Sequence, residues 1–184
     1  MSPAVDVAVL GLGAGGEYAA RKLAEAGLAV VGIERELVGG ECPFWGCTPS
    51  KLMIHSAHEG QGLPRAAARI REANHDWHDD HHAGPLEEAG VRIVRGHGRL
   101  AGPGRVEVDG TTYDARLGVL LDTGTEPAVP PVDGLAGTPY WTNREVMHVE
   151  EAPGSRTERT PAPARSRSGR RRAPPPSRAP PRRA

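Results

Sequence analysis

The chain opens with a strand–loop–helix–strand pattern, and this pattern restricts the fold more than any other feature. Residues 5–10 form a short β-branched apolar run that predicts a buried strand, and residues 28–33 form a second one. Between them, residues 17–26 are rich in good helix formers, and Gly27 is placed to end a helix. Because strands joined by a helical crossover pair in parallel, we predict an α/β fold with a parallel sheet.

A glycine-rich loop, Gly11-x-Gly13-x-x-Gly16, joins the first strand to the helix. Gly11 permits the tight turn, Gly13 lets a pyrophosphate approach the backbone, and Gly16 lets the helix pack closely on the sheet. Glu34 follows the second strand, where its carboxylate can accept hydrogen bonds from ribose hydroxyls. The pattern predicts a Rossmann-type dinucleotide site. The alternative is a tight turn without a ligand.

Further helices and strands follow as far as residue 150. We expect helices over residues 51–59 and 64–88, and strands over residues 91–94, 106–108, 111–113 and 117–121. Asp109-Gly110 separates two of these strands and is typical of a type I′ hairpin turn. The sequence therefore predicts a small antiparallel β-meander beside the parallel sheet.

Residues 151–184 differ in composition from everything before them. They contain ten Arg, eight Pro and two Glu but no Val, Leu, Ile, Met, Phe, Tyr or Trp, so they cannot bury a core. The zero net charge of the chain combines −8 over residues 1–150 with +8 over residues 151–184. We predict a folded domain over residues 1–150 and a disordered tail over residues 151–184. We do not predict nucleic-acid binding, because the tail has no aromatic residues for base stacking.

A cysteine pair follows the βαβ unit, in the run GGECPFWGCTPSK at residues 39–51. Five residues of ideal helix advance about 7.5 Å, which is too far for a disulfide between Cys42 and Cys47. A distorted first turn, helped by Pro43, Gly46 and Pro49, would bring the two thiols together. The alternatives are two buried free thiols or half of a zinc site.

The Gly-Gly pair, the Cys-x4-Cys spacing and the Pro-Ser-Lys end of this run closely resemble the class I flavoprotein disulfide reductases. This family includes dihydrolipoamide dehydrogenase, glutathione reductase and mercuric reductase. The resemblance implies that Gly40 contributes to the cofactor site and that Cys42 is the substrate-side thiol. It also implies that Cys47 faces the flavin and that Lys51 lies beside the isoalloxazine ring. We expect the helix N-terminus and Lys51 to lower the pKa of the thiols.

Two later segments extend the resemblance. His97 and Gly98 lie in a segment similar to the family segment whose backbone contacts the FAD adenine. Thr123 and Gly124 lie in a segment similar to the strand end that closes over FAD. Asp122 departs from the family, which usually has a small residue there, and its carboxylate would repel the cofactor phosphates unless it points away.

The family as a whole transfers electrons from NAD(P)H through FAD to a cysteine pair and then to a small-molecule or disulfide substrate, and its members are homodimers. In the family, a second glycine-rich fingerprint follows the position of Gly154, whereas here the Arg/Pro-rich segment follows. We therefore expect a truncated, inactive N-terminal fragment that lacks the NAD(P)H site and the dimer domain, with a tail that is a frameshifted or truncated reading of a longer reductase gene. The rival interpretation of the tail is a real basic segment that binds a nucleic acid or an acidic partner. The alternative is a non-catalytic flavin- or dinucleotide-binding module with a redox-sensitive thiol pair.

Other features argue against further sites. No apolar run reaches the roughly 18 residues of a membrane helix, and the N-terminal residues have no leader pattern, so we expect a cytoplasmic protein. The His- and Asp-rich residues 74–82 place His78 and His81 or His82 on one face if they are helical. Without a closed set of ligands we predict no metal site there.

Overall fold

A six-stranded sheet organises residues 4–152, the part of the chain that this computed structural model describes. The strands are β1 (Ala4–Leu10), β2 (Val30–Glu34), β3 (Arg92–Arg95), β4 (Arg99–Gly102), β5 (Arg105–Val108) and β6 (Thr111–Leu121). Their order is β3-β2-β1-β6-β5-β4. The first four strands in this order pair in parallel, and β6, β5 and β4 form an antiparallel meander. The predicted α/β fold, with its parallel sheet and small meander, is confirmed.

Helices connect the strands and cover the sheet. They are α1 (Ala14–Glu25), α2 (Glu41–Phe44), α3 (Cys47–His58), α4 (Leu63–Ala73), α5 (Asp80–Glu88) and α6 (Asn143–Met147). Single turns of 3₁₀ type occur at His75–Trp77 and Leu135–Gly137. No helix in residues 4–152 is long and apolar enough to cross a membrane.

The central strand β1 divides the core into two layers. Because side chains alternate along a strand, Val7 and Val9 face one layer and Ala8 and Leu10 face the other. The first layer packs against α1 and α5, and the second packs against the β5–β6 hairpin. Strand β1 is therefore covered on both faces, as its continuous apolar sequence indicates.

Helix α1 begins earlier than its side chains suggest. The sequence predicted a start at Glu17, but Gly13 is the N-cap and the helix includes the two glycines that follow Ala14. At the other end, the amide of Gly27 donates to Ala24 and the amide of Leu28 donates to Leu23, at 2.8 and 3.1 Å. These two bonds form a Schellman motif, in which the positive φ of Gly27 (86°) ends the helix.

The prediction of one continuous helix over residues 64–88 is wrong in the middle of that segment. His75, Asp76 and Trp77 have φ values of 48, 56 and 59°, so the chain turns there and divides the segment into α4 and α5. Asn74, immediately before this turn, is buried and donates from its side-chain amide to the carbonyl of Phe44 at 3.3 Å. This hydrogen bond joins residues 30 positions apart and holds the turn in place. The pattern of apolar residues along the sequence does not indicate it.

The expected pair of strands over residues 111–121 is a single long strand, β6. Its first half pairs with β5, and its second half pairs with β1. The sequence predicted a buried strand over residues 117–121, but the Leu117 and Leu121 side chains are 63% and 57% exposed. The hairpin turn at Asp109-Gly110 has positive φ at both residues, as a type I′ turn requires.

A buried carboxylate fixes the loop that follows β2. Asp79 accepts a hydrogen bond from the amide of Val38 at 2.6 Å and a bidentate pair from Arg95 at 2.6 and 3.0 Å. Burial raises the pKa of Asp79, but the bonds from Arg95 and Val38 outweigh burial and leave that pKa below its ordinary value. This carboxylate therefore joins the β2 loop, β3 and the start of α5.

Nearly all of the predicted tail lies outside the described residues, which end at Ala152. The division of the chain at residue 150 and the disorder of residues 151–184 therefore stay predictions.

Candidate functional site

A cavity of about 550 Å³ lies at the carboxyl ends of β1, β2 and β6. Ligands of open α/β sheets bind at this edge. The residues predicted for binding or catalysis that line the cavity are Gly11, Gly13, Glu34, Gly40, Cys42, His97, Gly98, Thr123 and Gly124. The structure brings these residues together, although up to 113 positions separate them in the sequence. Gly16, Cys47 and Lys51 do not line the cavity.

The glycine-rich loop is held by close backbone contacts that only glycine allows. Gly11 has a φ of 95°, and a Cβ at this position would lie 2.1 Å from the backbone oxygen of Asp122. A Cβ at Gly16 would lie 2.1 Å from the backbone oxygen of Gly11. The loop is therefore packed between the end of β6 and the first turn of α1, with the N–H groups of that turn at the cavity.

The glycine pair before the cysteines is attached to this loop. The amide of Gly39 donates to the carbonyl of Leu12 at 2.7 Å, and Gly13 and Gly39 form an isolated parallel bridge. A Cβ at Gly40 would lie 2.8 Å from Cα of Gly13. The segment that carries Cys42 is therefore positioned against the glycine-rich loop.

Glu34 stands at the end of β2 with its carboxylate fixed by the backbone. One oxygen accepts the amide of Leu12 at 2.8 Å, and the other accepts the amide of Glu36 at 2.8 Å. Each carboxylate oxygen keeps a second lone pair, so Glu34 can still accept hydrogen bonds from a ligand's hydroxyl groups.

The two cysteines lie on either side of a break between helices. Cys42 is in α2 and Cys47 begins α3, with Trp45 and Gly46 between the two helices. This break is the distortion that the sequence predicted around Gly46. Both cysteines are free thiols, with Cys42 partly buried and Cys47 exposed.

The environment of Cys42 contradicts the expected lowering of its pKa. The hydrogen bond with the Cys47 side chain is the largest cause that raises the pKa of Cys42, followed by burial and the charge of Cys47. A backbone hydrogen bond from Cys47 and the positive charge of Lys51 act in the opposite direction but are outweighed. The expectation was wrong for Cys42 because the neighbouring Cys47 thiol and burial disfavour the Cys42 thiolate more than Lys51 favours it.

Arg144 was not predicted as a site residue, yet it joins three parts of the cavity wall. It donates to Glu36 at 2.7 Å and to Glu41 at 3.2 Å, and its guanidinium lies 4.5 Å from the ring centroid of Trp45. These contacts attach α6 to the β2 loop and to the cysteine segment. The capping box of Thr142 and Glu145 was the only local signal in the sequence that a helix begins at this point.

The histidine-rich segment does not place His78 on one helical face with His81 or His82. His78 precedes α5, whereas His81 and His82 lie in its first turn. Within residues 4–152, no group of three or more His, Cys, Asp or Glu side chains could hold a metal ion.

The family of the chain follows from a comparison with protein-family models. Residues 5–161 match the model of the pyridine nucleotide-disulphide oxidoreductases. The chain belongs to this family. The resemblance that the cysteine run indicated is therefore confirmed.

Individual relatives agree with this assignment. The chain is 34% identical to glutathione reductase from Burkholderia cepacia over 145 residues, which cover 70% of the chain and 32% of the relative. It is 34% identical to dihydrolipoyl dehydrogenase from Thermus scotoductus over 79% of the chain and 34% of the relative. It is 32% identical to mercuric reductase from Shigella flexneri over 83% of the chain and 31% of the relative. The chain thus spans about a third of the length of these relatives.

A solved structure shows the same fold. The HOCl-induced flavoprotein disulfide reductase RclA from Escherichia coli superposes with a TM-score of 0.75 at 25% identity. The match covers 81% of this chain and 35% of that protein. The chain is therefore a member of a flavoprotein oxidoreductase family.

Proposed function

We propose that this chain binds FAD and carries the redox-active thiol pair of a disulfide reductase. One observation carries the proposal: a single cavity is lined by the glycine-rich loop, by Glu34 and by Cys42. A glycine-rich loop suited to a dinucleotide is thereby adjacent to Cys42, whose pKa is governed mainly by a second thiol, Cys47. Family membership supports the same conclusion.

The residues of the cavity fit such a cofactor at most points. The amides at the start of α1 suit a diphosphate, because the N–H groups and the dipole of a helix N-terminus favour anions. Glu34 would accept from the ribose hydroxyls, and His97 and Gly98 would border the adenine. Thr123, Gly124 and Gly40 would line the path towards Cys42. Asp122 is one exception, since its carboxylate lies at the glycine-rich loop. Cys47 and Lys51 are two others, since the resemblance places them at the flavin but they do not line the cavity.

Bound FAD would supply a two-electron carrier beside the thiol pair. The chain's own residues perform the exchange with a disulfide substrate. We propose that the thiolate of Cys42 attacks one substrate sulfur and that the other sulfur leaves and takes a proton. The thiolate of Cys47 then attacks Cys42 and releases the second substrate thiol. The products are the Cys42–Cys47 disulfide and two substrate thiols. The positive charge of Lys51 would favour the thiolate of Cys42, against the opposing effects of Cys47 and burial.

Binding of FAD tests the first part of the proposal. Purified protein incubated with FAD and passed through a desalting column is expected to retain the visible flavin spectrum. Glu34→Gln should weaken FAD binding by about tenfold, because it loses a charged acceptor at the cavity. The matched variant Glu88→Gln, at the exposed end of α5, should leave FAD binding unchanged. Failure to bind FAD both by the unmodified chain and by a folded variant that lacks the Asp122 carboxylate would contradict the proposal.

Trapping of mixed disulfides tests the roles of the two thiols. With an aromatic disulfide as substrate, Cys47→Ser is expected to accumulate a stable mixed disulfide at Cys42, because no second thiol resolves it. Mass spectrometry identifies the modified residue. Cys42→Ser should give much slower modification, at Cys47. Faster modification of Cys47 than of Cys42 would reverse the assignment.

We also propose that the 184-residue chain by itself does not oxidise NAD(P)H. Residues 4–152 contain one glycine-rich βαβ unit, and the proposal above assigns that unit to FAD. Mixing the FAD-loaded chain with NADH or NADPH without oxygen should leave the nicotinamide absorbance unchanged. Bleaching of the flavin by either nucleotide would refute this second proposal.

A further inference from the structure

Asp122 places a carboxylate in the glycine-rich loop. The residue follows β6, and its side-chain oxygen Oδ2 accepts the amide of Gly16 at 2.7 Å. A Cβ built at Gly13 would lie 3.0 Å from Oδ2, and one built at Gly15 would lie 3.1 Å from Oδ1. The carboxylate therefore fills the space in front of the first turn of α1, where the absence of side chains leaves room for an anion.

The backbone of Asp122 is locked on both sides. Its amide donates to the carbonyl of Leu10 at 2.8 Å. Its own carbonyl lies against Gly11, where even a methyl group would not fit. With this backbone fixed between β1 and the loop, the side chain is directed at the N-terminus of α1.

Among the described residues, the carboxylate has no compensating cation. Within residues 4–152, no Lys, Arg or His lies within 4.0 Å of Asp122 to form an ion pair. Its partner is the Gly16 amide, together with the positive end of the α1 dipole. These are the groups that a phosphate would otherwise use.

We propose that Asp122 is an internal anion that competes with the cofactor diphosphate for the N-terminus of α1 and so sets the affinity and selectivity of the cavity. This inference rests on the proposed function. A diphosphate must displace the carboxylate from Gly16 or bind beside it, and the second case places like charges in close proximity. A ligand without phosphate does not meet this barrier. Asp122 therefore lowers affinity for FAD and for ADP while leaving affinity for riboflavin unchanged.

Two substitutions separate the charge of Asp122 from its volume. Asp122→Ala removes both, whereas Asp122→Asn keeps an oxygen that can accept from Gly16 but carries no charge. Asp133→Ala is the matched control, because it removes an exposed carboxylate from a loop outside the cavity. Far-UV circular dichroism and the thermal midpoint verify that each variant is folded.

Dissociation constants for FAD, ADP and riboflavin provide the readout, measured by flavin fluorescence quenching and by calorimetry. Asp122→Ala should bind FAD and ADP more tightly than the unmodified chain by on the order of 10- to 1,000-fold, the range expected for relief of a close like-charge contact. Asp122→Asn should show a smaller gain. Riboflavin should bind equally to all variants, and Asp133→Ala should match the unmodified chain.

Each alternative outcome has a distinct meaning. Equal FAD affinity for the unmodified chain and Asp122→Ala overturns the inference and leaves the proposed function standing. Weaker FAD binding by both Asp122 variants overturns it too, because Asp122 would then be a support of the loop. If no folded variant binds FAD, both the proposed function and the inference fail. If Asp122→Ala does not fold, the FAD affinity of Asp122→Asn is compared with that of the unmodified chain: tighter binding by Asp122→Asn supports the inference, and equal or weaker binding overturns it.

Discussion

The substitution Asp79→Ala removes the carboxylate that holds the loop after β2. Val38 is fully buried, so its amide would lose its acceptor in a place that water does not reach. An unsatisfied buried donor costs about 1–3 kcal/mol. The Arg95 side chain is 46% exposed, so loss of that pair adds only about 0.2–1 kcal/mol. We expect Asp79→Ala to lower the free energy of unfolding by about 1–4 kcal/mol at neutral pH.

The pH dependence of this loss has a definite sign. The pKa of Asp79 in the folded chain is lower than the ordinary pKa of an aspartate carboxyl group, because Arg95 and the Val38 amide hydrogen-bond to the carboxylate. The carboxylate therefore contributes its stabilisation above the unfolded-state pKa and loses it as the pH falls through the folded-state pKa. The difference between the unmodified chain and Asp79→Ala should be largest above about pH 5 and should shrink at about pH 3.

Urea unfolding followed by circular dichroism measures both effects. Asp80→Ala is the matched control, because this neighbouring carboxylate is exposed, and we expect it to change stability by about 0.5 kcal/mol or less. A stabilising role of Asp79 is refuted if Asp79→Ala lowers the free energy of unfolding by no more than Asp80→Ala does. The expected pH dependence is contradicted if this loss is the same at both ends of the pH range.

Three further changes test the site, and the first is paired with a control variant, Gly84→Ala. Gly16→Ala, which places a Cβ 2.1 Å from a backbone oxygen, should cost about 3 kcal/mol or more in urea unfolding. Gly84→Ala, in open space within α5, should stabilise by about 0.5–1 kcal/mol, and equal effects of the two changes would contradict this. Cys47→Ala should lower the pKa of Cys42, which would shift the pH dependence of its alkylation rate to lower pH. An unchanged pH dependence would show that Cys47 does not raise the pKa of Cys42. Arg144→Ala should speed hydrogen exchange in α6, because its contacts to the cavity wall are lost; unchanged exchange would show that these contacts do not hold α6.

The local elements of the fold were predictable because their signals are local. The apolar run of β1, the helix formers of α1 and the Asp109-Gly110 turn each depend on neighbours within a few residues. The run from Gly39 to Lys51 was equally informative, since its fixed spacing is specific to one family. The segment around residues 74–78 was not predictable, because the Asn74 bond to the distant Phe44 carbonyl determines that turn.

The sequence by itself determined the α/β class, the glycine-rich turn, the cysteine pair and the family. Only the tertiary structure decided that Asp122 points at Gly16 and that Arg144 reaches Glu36. The physical reason is chain separation. Asp122 meets Gly16 across 106 positions and Arg144 meets Glu36 across 108, because β6 returns to pair with β1 and α6 packs over the β2 loop. Residue spacing along the chain carries no record of such contacts.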